Sequence, residues 1–240
     1  MNEIFKIRPN GFEDMKKQLI IKSVPTLLLS MTFGIAIVFF NSKEKEDVLD
    51  VLPFMIPICL FALGYGLYKG LKRQKMLFES YKLIFSENNV VREQVNTPII
   101  NIQFSDIQSI TKDKKGGYVI KGKSAVETIL IPAQIDNYEN LEILCNQIKP
   151  IEEFQQPKFD EKYRIPFVLL TLCCMAIVYV SDNKILVGVS ALIVSGMLIS
   201  SFIKIRKNKN IDNKTKRSSY YSLLVLVSVL IVTIMKIISK

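Results

Sequence analysis

Few residues in this sequence have the type and spacing that catalysis or metal binding requires. The chain has 240 residues and no histidine, which excludes imidazole general bases, histidine-containing triads and histidine-ligated metals. For the adjacent Cys173 and Cys174, packing between apolar helices is a better interpretation than a redox or acylation role. No CxxC pair, Walker-type loop or GxSxG segment occurs. We therefore expect no enzyme activity, no catalytic residues, no cofactor and no metal site.

One binding feature stands out among the polar residues, a basic hairpin. Five lysines cluster around the Gly116-Gly117 turn: Lys112, Lys114, Lys115, Lys121 and Lys123. A lysine next to an anionic membrane surface contributes about 1 kcal/mol, so contact with anionic lipid headgroups is one hypothesis. The alternative is an exposed hairpin kept soluble by its charge. Four carboxylates of the same region, at turns, strand ends or a helix cap, are interpreted as solvated surface: Asp106, Asp113, Glu127 and Asp136.

Charged and apolar residues are segregated along the chain. Hydrophobic residues make up 49% of the sequence, and five stretches of 17 to 20 residues carry no charge. A helix that rises about 1.5 Å per residue needs roughly 17–25 apolar residues to cross a membrane. The sequence therefore predicts five transmembrane helices, at about residues 20–40, 51–70, 165–181, 185–203 and 219–238. The third is the weakest, because Pro166 and Ser181 limit its apolar length.

The distribution of basic residues predicts the orientation of these helices. Nineteen lysines and arginines adjoin the membrane on the side of the N-terminus, against five on the opposite side. Since basic residues accumulate on the cytoplasmic side, we expect a multi-pass protein of the bacterial inner (cytoplasmic) membrane. Its N-terminus is then cytoplasmic and its C-terminus external. No small-residue cleavage site follows Phe39-Phe40, so a cleaved signal peptide is not expected.

The basic character of the chain resides in the segments next to the membrane. The formal net charge is +10, yet residues 79–153 hold eleven acidic and eight basic residues. Binding to nucleic acid is therefore not expected. The expected organisation is an N-terminal segment with a transmembrane hairpin (1–75), a cytoplasmic domain (79–153) and a C-terminal group of transmembrane helices (164–240).

Within the cytoplasmic domain, apolar and polar residues alternate with the period of β-strands. Six strands are predicted, at about residues 81–85, 90–95, 99–104, 107–111, 118–121 and 127–131. A helix to about Ile148 follows, with Asp136 as its N-cap and Glu139 completing a capping box. The predicted core consists of Phe104, Ile107, Ile110, Ile129, Ile131 and Leu144. The fold predicted here is a small antiparallel sheet closed by one C-terminal helix.

The order of these elements resembles a known family. A strand pair, the segment from Phe104 to Ile110, a glycine-centred hairpin, Ile129-Leu130-Ile131-Pro132 and a closing helix are similar to bacterial pleckstrin-homology-like (PH-like) domains. The group most similar is the YcxB-like membrane proteins, in which two helices precede such a domain. The resemblance covers roughly residues 20–150. It implies a membrane-tethered binding or scaffolding domain without catalytic activity.

Small residues mark one face of the second predicted helix. Ala62, Gly66 and Gly70 have the small-xxx-small spacing of helix-packing faces. All five spans lack charged residues at mid-membrane, whereas ion-coupled carriers place charges there. We therefore expect a binding or scaffolding protein with the lipid bilayer, anionic headgroups or another membrane protein as partners. The alternative is an immunity-type or transporter-accessory protein whose function resides in the transmembrane helices.

Overall fold

The computed structural model describes residues 3–42, 45–124, 127–153 and 164–238. These residues form two compact units. The first, here called the β domain, comprises residues 3–18, 70–153 and 205–217. The second, the helical unit, comprises residues 19–42, 45–69, 164–204 and 218–238. The β domain therefore extends beyond residues 79–153 and is assembled from three separate segments of the chain.

The six predicted strands are all present, with ends that differ by at most two residues from the predicted ones. Two further strands, at the beginning and end of the domain, were not evident from the sequence. In chain order the elements are β1 (Glu3–Lys6), α1 (Gly11–Asn41), α2 (Lys45–Glu79), β2 (Lys82–Phe85), β3 (Asn89–Glu93), β4 (Ile100–Gln103), β5 (Ser109–Lys112), β6 (Tyr118–Lys121), β7 (Thr128–Ile131), α3 (Tyr138–Ile148), β8 (Ile151–Glu153), α4 (Arg164–Val180), α5 (Lys184–Lys207), α6 (Asn213–Ser218) and α7 (Tyr221–Ile238).

Four helical stretches have the length and apolar composition to cross a membrane, as expected of an integral membrane protein. They lie in α1, in α2, in α5 and in the stretch Asn213–Ile238, which combines α6 and α7. The third predicted span, α4, has 17 residues, and its apolar part runs from Pro166 to Val180. The apolar part of α4 is short because Pro166 lies in its first turn and the helix ends before Ser181. The described chain therefore has four helices of full spanning length, where the sequence predicted five.

Within the helical unit, α4, α5 and α7 pack around a small apolar cluster. The buried residues of this cluster are Cys174, Val178, Ala191, Val194 and Val229. The ammonium group of Lys236 in α7 donates hydrogen bonds to the carbonyl oxygens of Tyr179 (2.8 Å) and Ser181 (2.9 Å) at the end of α4. The C-terminal ends of α4 and α7 therefore lie side by side. The apolar windows of α1 and α2 contain no buried residue.

Two four-stranded sheets form the body of the β domain. The first has the order β1-β2-β3-β4 and is antiparallel throughout. The second has the order β7-β6-β5-β8, in which β8 runs parallel to β5 and the other pairs are antiparallel. The facing rows are apolar: Leu83 opposes Phe5, and Ile120 opposes both Ile110 and Ile129. This alternation is why one face of each sheet is buried and the other is not.

Helix α3 closes the domain through Leu141 and Cys145, which are fully buried. The prediction of a buried position is confirmed for Ile107, Ile110, Ile129 and Ile131. It is wrong for Phe104 and Leu144, which pack at the margin of the core and are only half-buried. Residues four apart on a helix share a face. Leu141 and Cys145 occupy the centre of the buried face of α3, and Leu144 and Ile148 lie about one turn later, at the margin of the core.

The predicted N-cap of α3 is also wrong. The residue before the helix is Asn137, whose backbone is left-handed (φ 44°) and whose side chain makes no capping hydrogen bond. Asp136 lies one residue before the N-cap, and its carboxylate accepts a hydrogen bond from the main-chain N–H of Lys6. Asp136 therefore binds β1, which lies far away in sequence, and not the first turn of α3.

Candidate functional site: basic hairpin and buried arginine of the β domain

The basic hairpin, residues 112–123, joins β5 to β6 through a turn that Asp113 organises. Its Oδ1 accepts hydrogen bonds from the main-chain N–H groups of Lys115 (2.7 Å) and Gly117 (3.0 Å). Gly116 has a φ of 84°, in the left-handed region. A Cβ on Gly117 would lie 2.8 Å from the carbonyl oxygen of Ile131. Both positions therefore require glycine.

Lys112 is held in a cluster of charged and aromatic side chains. Its Nζ donates a hydrogen bond to Oε1 of Glu142 at 2.8 Å and lies 5.5 Å and 5.4 Å from the ring centres of Tyr118 and Tyr138, within cation–π range. The hydrogen bond between Lys112 and Glu142 raises the pKa of Lys112 and lowers the pKa of Glu142. The Tyr138 hydroxyl donates in turn to the carbonyl of Gly116 at 2.7 Å. Lys112 therefore belongs to the internal structure of the domain.

The other four candidate lysines differ in their partners. Lys123 forms an ion pair of 2.6 Å with Asp106, and Lys115 donates a hydrogen bond of 2.9 Å to the side chain of Gln18. Gln18 lies on α1, five residues before the charge-free stretch of that helix begins. Three lysines have no ion-pair partner in the residues that the structure describes: Lys114, Lys121 and Lys115, whose partner Gln18 is uncharged. The hairpin therefore contacts the part of α1 next to its apolar segment.

The carboxylates predicted to be solvated surface are partly exposed, and three of the four side chains also form hydrogen bonds within the domain. Asp106 binds Lys123, Asp113 organises the hairpin turn, and Asp136 binds the main chain of Lys6. Glu127 pairs through its main chain, since its carbonyl accepts a hydrogen bond of 2.7 Å from Gly122. Across the described residues, no three His, Cys, Asp or Glu side chains come together in a group able to hold a metal ion.

A guanidinium group is buried inside the β domain. Arg92 of β3 faces inward, on the same side as Val90, and is 1% exposed. Its Nη1 donates to Oε1 of Gln94 (3.0 Å) and Oγ1 of Thr97 (2.7 Å), and its Nη2 donates to the carbonyl of Lys209 (3.1 Å). Nε is buried and has no hydrogen-bond partner in the part of the chain that the structure describes, and burial lowers the pKa of this arginine. All three acceptors are neutral groups.

Residues 205–217, here called the strap, connect α5 to α7 and fold onto the β domain. The side chain of Asn210 donates a hydrogen bond of 2.9 Å to the carbonyl of Thr128. The main-chain N–H of Asn213 donates to the carbonyl of Asn96 at 2.8 Å. Together with the contact to Arg92, these hydrogen bonds attach the strap to β7 of the second sheet and to the turn that follows β3 of the first.

An ion pair fixes the centre of the strap. Asp212, the only acidic residue of the strap, is 6% exposed and pairs with Arg73 of α2. Its carboxylate also accepts hydrogen bonds from Oγ1 of Thr215 (2.6 Å) and from the N–H groups of Lys214 (3.0 Å) and Thr215 (3.1 Å). Burial raises the pKa of Asp212, but the hydrogen bonds from Thr215 and Arg73 outweigh burial and hold it below its ordinary value.

The sequence alone predicts that the arginine faces inward, but it does not predict the contact with the strap. Arg92 follows Val90 by two positions in a period-two strand, which places both side chains on one face. A charge on an inward face is therefore visible from spacing alone. The acceptor of its Nη2 group is the carbonyl of Lys209, 117 positions away. No local pattern predicts that contact.

The predicted helix-packing face of α2 is exposed. Ala62, Gly66 and Gly70 all lie on the surface, and a Cβ built on Gly66 or Gly70 meets no atom within 4 Å. No part of the chain that the structure describes packs closely against these two glycines. The helix-packing face stays a prediction.

Comparison of the chain with protein-family models, with curated proteins and with solved structures finds no match. The resemblance to PH-like domains of the YcxB-like group therefore rests on the order of the elements alone.

Proposed function

We propose that this protein is a multi-pass protein of the inner (cytoplasmic) membrane that carries a PH-like binding or scaffolding module, without catalytic activity, on its cytoplasmic side. The observation that carries the proposal is the assembly of the β domain from three segments that continue directly into α1, α2, α5 and α7. A domain tied to several membrane helices stays at the membrane surface without a recruitment step. A permanent scaffold needs that property.

The shape of the β domain supports a binding role. A groove of about 290 Å³ lies beside α3, with Phe85, Phe104, Leu144 and Ile148 among its lining residues. Ligand sites of proteins typically enclose about 300–1,000 Å³ and are mainly apolar with a few polar groups. The groove is close to the lower end of that range, which suits one apolar side chain of a partner.

The chain path supports five membrane crossings. The strap and residues 70–153 belong to the same unit, so the chain between them must leave one side of the membrane and return to it. Because α5 has full spanning length, α4 must supply the other crossing although it has only 17 residues. Local thinning of the bilayer accommodates a short helix at modest cost. This path agrees with a cytoplasmic N-terminus and an external C-terminus.

The basic hairpin is the proposed contact with anionic lipid headgroups. Its contact with Gln18 supports this role, since that residue lies near the start of the apolar part of α1. Lys112 and Lys123 are already paired with carboxylates. The lysines available to headgroups are therefore Lys114, Lys115 and Lys121, and the attraction orients a domain that is already tethered.

Hydrogen–deuterium exchange of the full chain in bilayers tests this contact. With phosphatidylglycerol present, we expect slower exchange in residues 112–123 than in phosphatidylcholine alone, and reversal by salt, because the attraction is electrostatic. The variant Lys114→Gln/Lys115→Gln/Lys121→Gln loses the difference. Lys82→Gln, an exposed lysine of β2, is the matched control. Equal exchange in both lipids, or a difference that survives in the triple variant, contradicts the proposal.

The second candidate function resides in the helices, as in an immunity-type or transporter-accessory protein. The packing of α4, α5 and α7 favours it, because Ser190 and Thr233 are buried there and the hydroxyls of Tyr179 and Ser228 form a hydrogen bond of 2.9 Å. Deletion of residues 79–150 with retained membrane insertion distinguishes the two. A helix-based phenotype survives the deletion, and a scaffold phenotype is lost.

A further inference from the structure

We infer that Arg92 is a covered oxyanion site, closed by the strap in this structure and able to bind a phosphate group when the strap moves away. The site is separate from the basic hairpin, since it lies under residues 205–217 and uses a buried side chain. It does not depend on lipid contact at the hairpin.

The strap covers the edge of the guanidinium that recognises oxyanions. Nη1 is occupied by Gln94 and Thr97, which fix the orientation of the group from within the domain. Among the described residues, the edge formed by Nε–H and Nη2–H faces only one acceptor, the carbonyl of Lys209, and Nε–H has no partner. Arginine uses such paired N–H groups to bind two oxygens of a phosphate or carboxylate at once. A single neutral oxygen therefore occupies a position suited to two charged ones.

The electrostatics of the site favour an anion. A buried charge is costly unless it is paired, and the acceptors of Arg92 are an amide, a hydroxyl and a carbonyl. Tyr81 does not supply the missing charge: its hydroxyl donates to the carbonyl of Leu130, and burial raises its pKa. A bound oxyanion provides both the charge and the second hydrogen bond.

The strap is able to leave without unfolding the β domain. It contributes no residue to the buried apolar core, and Ile205 and Ile211 are only half-buried. Polar contacts hold it in place, with the ion pair between Asp212 and Arg73 at their centre. Release of the strap separates this pair and returns both charged groups to water, which restores their hydration. A ligand of Arg92 competes with the strap for the guanidinium group and therefore shifts the balance toward the released state.

Hydrogen–deuterium exchange of the full chain in phosphatidylcholine bilayers tests the site, with inorganic phosphate as the probe and chloride at matched ionic strength. We expect phosphate to accelerate exchange in residues 205–217 several-fold and to leave β5 and β6 unchanged, because ligand binding shifts the population toward the released strap. Arg92→Lys keeps the charge but loses the paired N–H groups, so its response is weaker. A second arm replaces phosphate by phosphatidylglycerol; acceleration there assigns the phosphate source to lipid headgroups, and acceleration by free phosphate alone assigns it to a soluble ligand.

Two further variants keep the test decisive if substitution of the buried arginine unfolds the domain. Asp212→Asn weakens docking without touching Arg92, so strap exchange rises before phosphate is added and a lower phosphate concentration suffices. Lys214→Gln, which removes an exposed charge of the strap, is the matched control and exchanges like the unchanged protein. Strap exchange that responds neither to phosphate nor to phosphatidylglycerol overturns the inference, as does an equal response in a folded Arg92→Gln variant. Exchange of the strap in step with β5 and β6 under all conditions makes it part of the core and also overturns it.

Discussion

Lys6 and Asp136 hold each other through two hydrogen bonds of 2.8 Å across 130 positions of the chain. The main-chain N–H of Lys6 donates to Oδ1 of Asp136, and the N–H of Asp136 donates to the carbonyl of Lys6. This pair ties β1 to the loop before α3. The N-terminal strand is therefore an integral part of the β domain, and a fragment beginning at residue 79 lacks one edge of the first sheet.

The first prediction concerns the contribution of β1 to stability. Phe5 is 2% exposed and its ring packs edge-on against Phe85 at 5.7 Å. Phe5→Ala is expected to lower the free energy of unfolding by roughly 3–5 kcal/mol, because it leaves a cavity. Ile4→Ala, at a neighbouring position that is 57% exposed, is the control, with a change within about 0.5 kcal/mol. The chain has no tryptophan, so near-ultraviolet circular dichroism of its tyrosines follows denaturation. Equal effects of both substitutions would show that β1 is not packed as described.

A second prediction separates the two leucines of α3. Leu141 is fully buried, and Leu141→Ala is expected to cost roughly 2–5 kcal/mol. Leu144 is only half-buried at the margin of the core, so Leu144→Ala is expected to cost less. Denaturation of the two variants side by side measures the difference. A larger loss at Leu144 contradicts the helix orientation.

The third prediction is a pH dependence of the Lys112–Glu142 pair. The lowered pKa of Glu142 means that its contribution is present above the ordinary value of 4.5 and lost as the pH falls through the lowered one. The raised pKa of Lys112 means that its contribution is present below 10.5 and lost as the pH rises through the raised one. Glu142→Gln is therefore expected to destabilise the domain between these limits, by about 0.2–1 kcal/mol for a partly exposed pair. Its effect disappears in acid.

Glu139→Gln is the matched control for this measurement, since Glu139 is an exposed carboxylate on the same helix. Stability curves of the two variants against pH are expected to diverge near neutral pH and to converge as the pH falls through the lowered pKa of Glu142. Parallel curves across the whole range would show that the ion pair contributes nothing.

A fourth prediction concerns topology. In a cysteine-free chain, single cysteines at Ser42 and Asp182 are expected to react with an impermeant thiol reagent in intact cells. A cysteine at Asn208, an exposed strap residue, is expected to react only after permeabilisation. Labelling of Asp182→Cys and Asn208→Cys from the same side would mean that α5, the helix between them, does not cross. Ser239, a further position for this experiment, lies outside the described residues.

Local patterns in the sequence were sufficient for much of the β domain. Strands such as β6 and β7 alternate apolar and polar residues with period two, and the Gly116-Gly117 turn between β5 and β6 marks a hairpin. These features depend on neighbours within a few residues, so spacing predicts them. The apolar helices follow equally from composition, because a charge-free stretch of 18 residues or more already has the length that a membrane requires.

Tertiary structure alone decided the contacts between distant segments. Four residues at the N-terminus carry too little pattern to identify β1, which forms only because β2 offers an unpaired edge after two long helices. Arg73 and Asp212 are 139 positions apart, and nothing near either residue specifies the other. The sequence by itself determined six of the eight described strands, helix α3 and the apolar helices, since those depend on local propensity and burial. Which loop covers Arg92 was decided by packing, because a buried polar group is satisfied by whichever carbonyl the fold brings within reach.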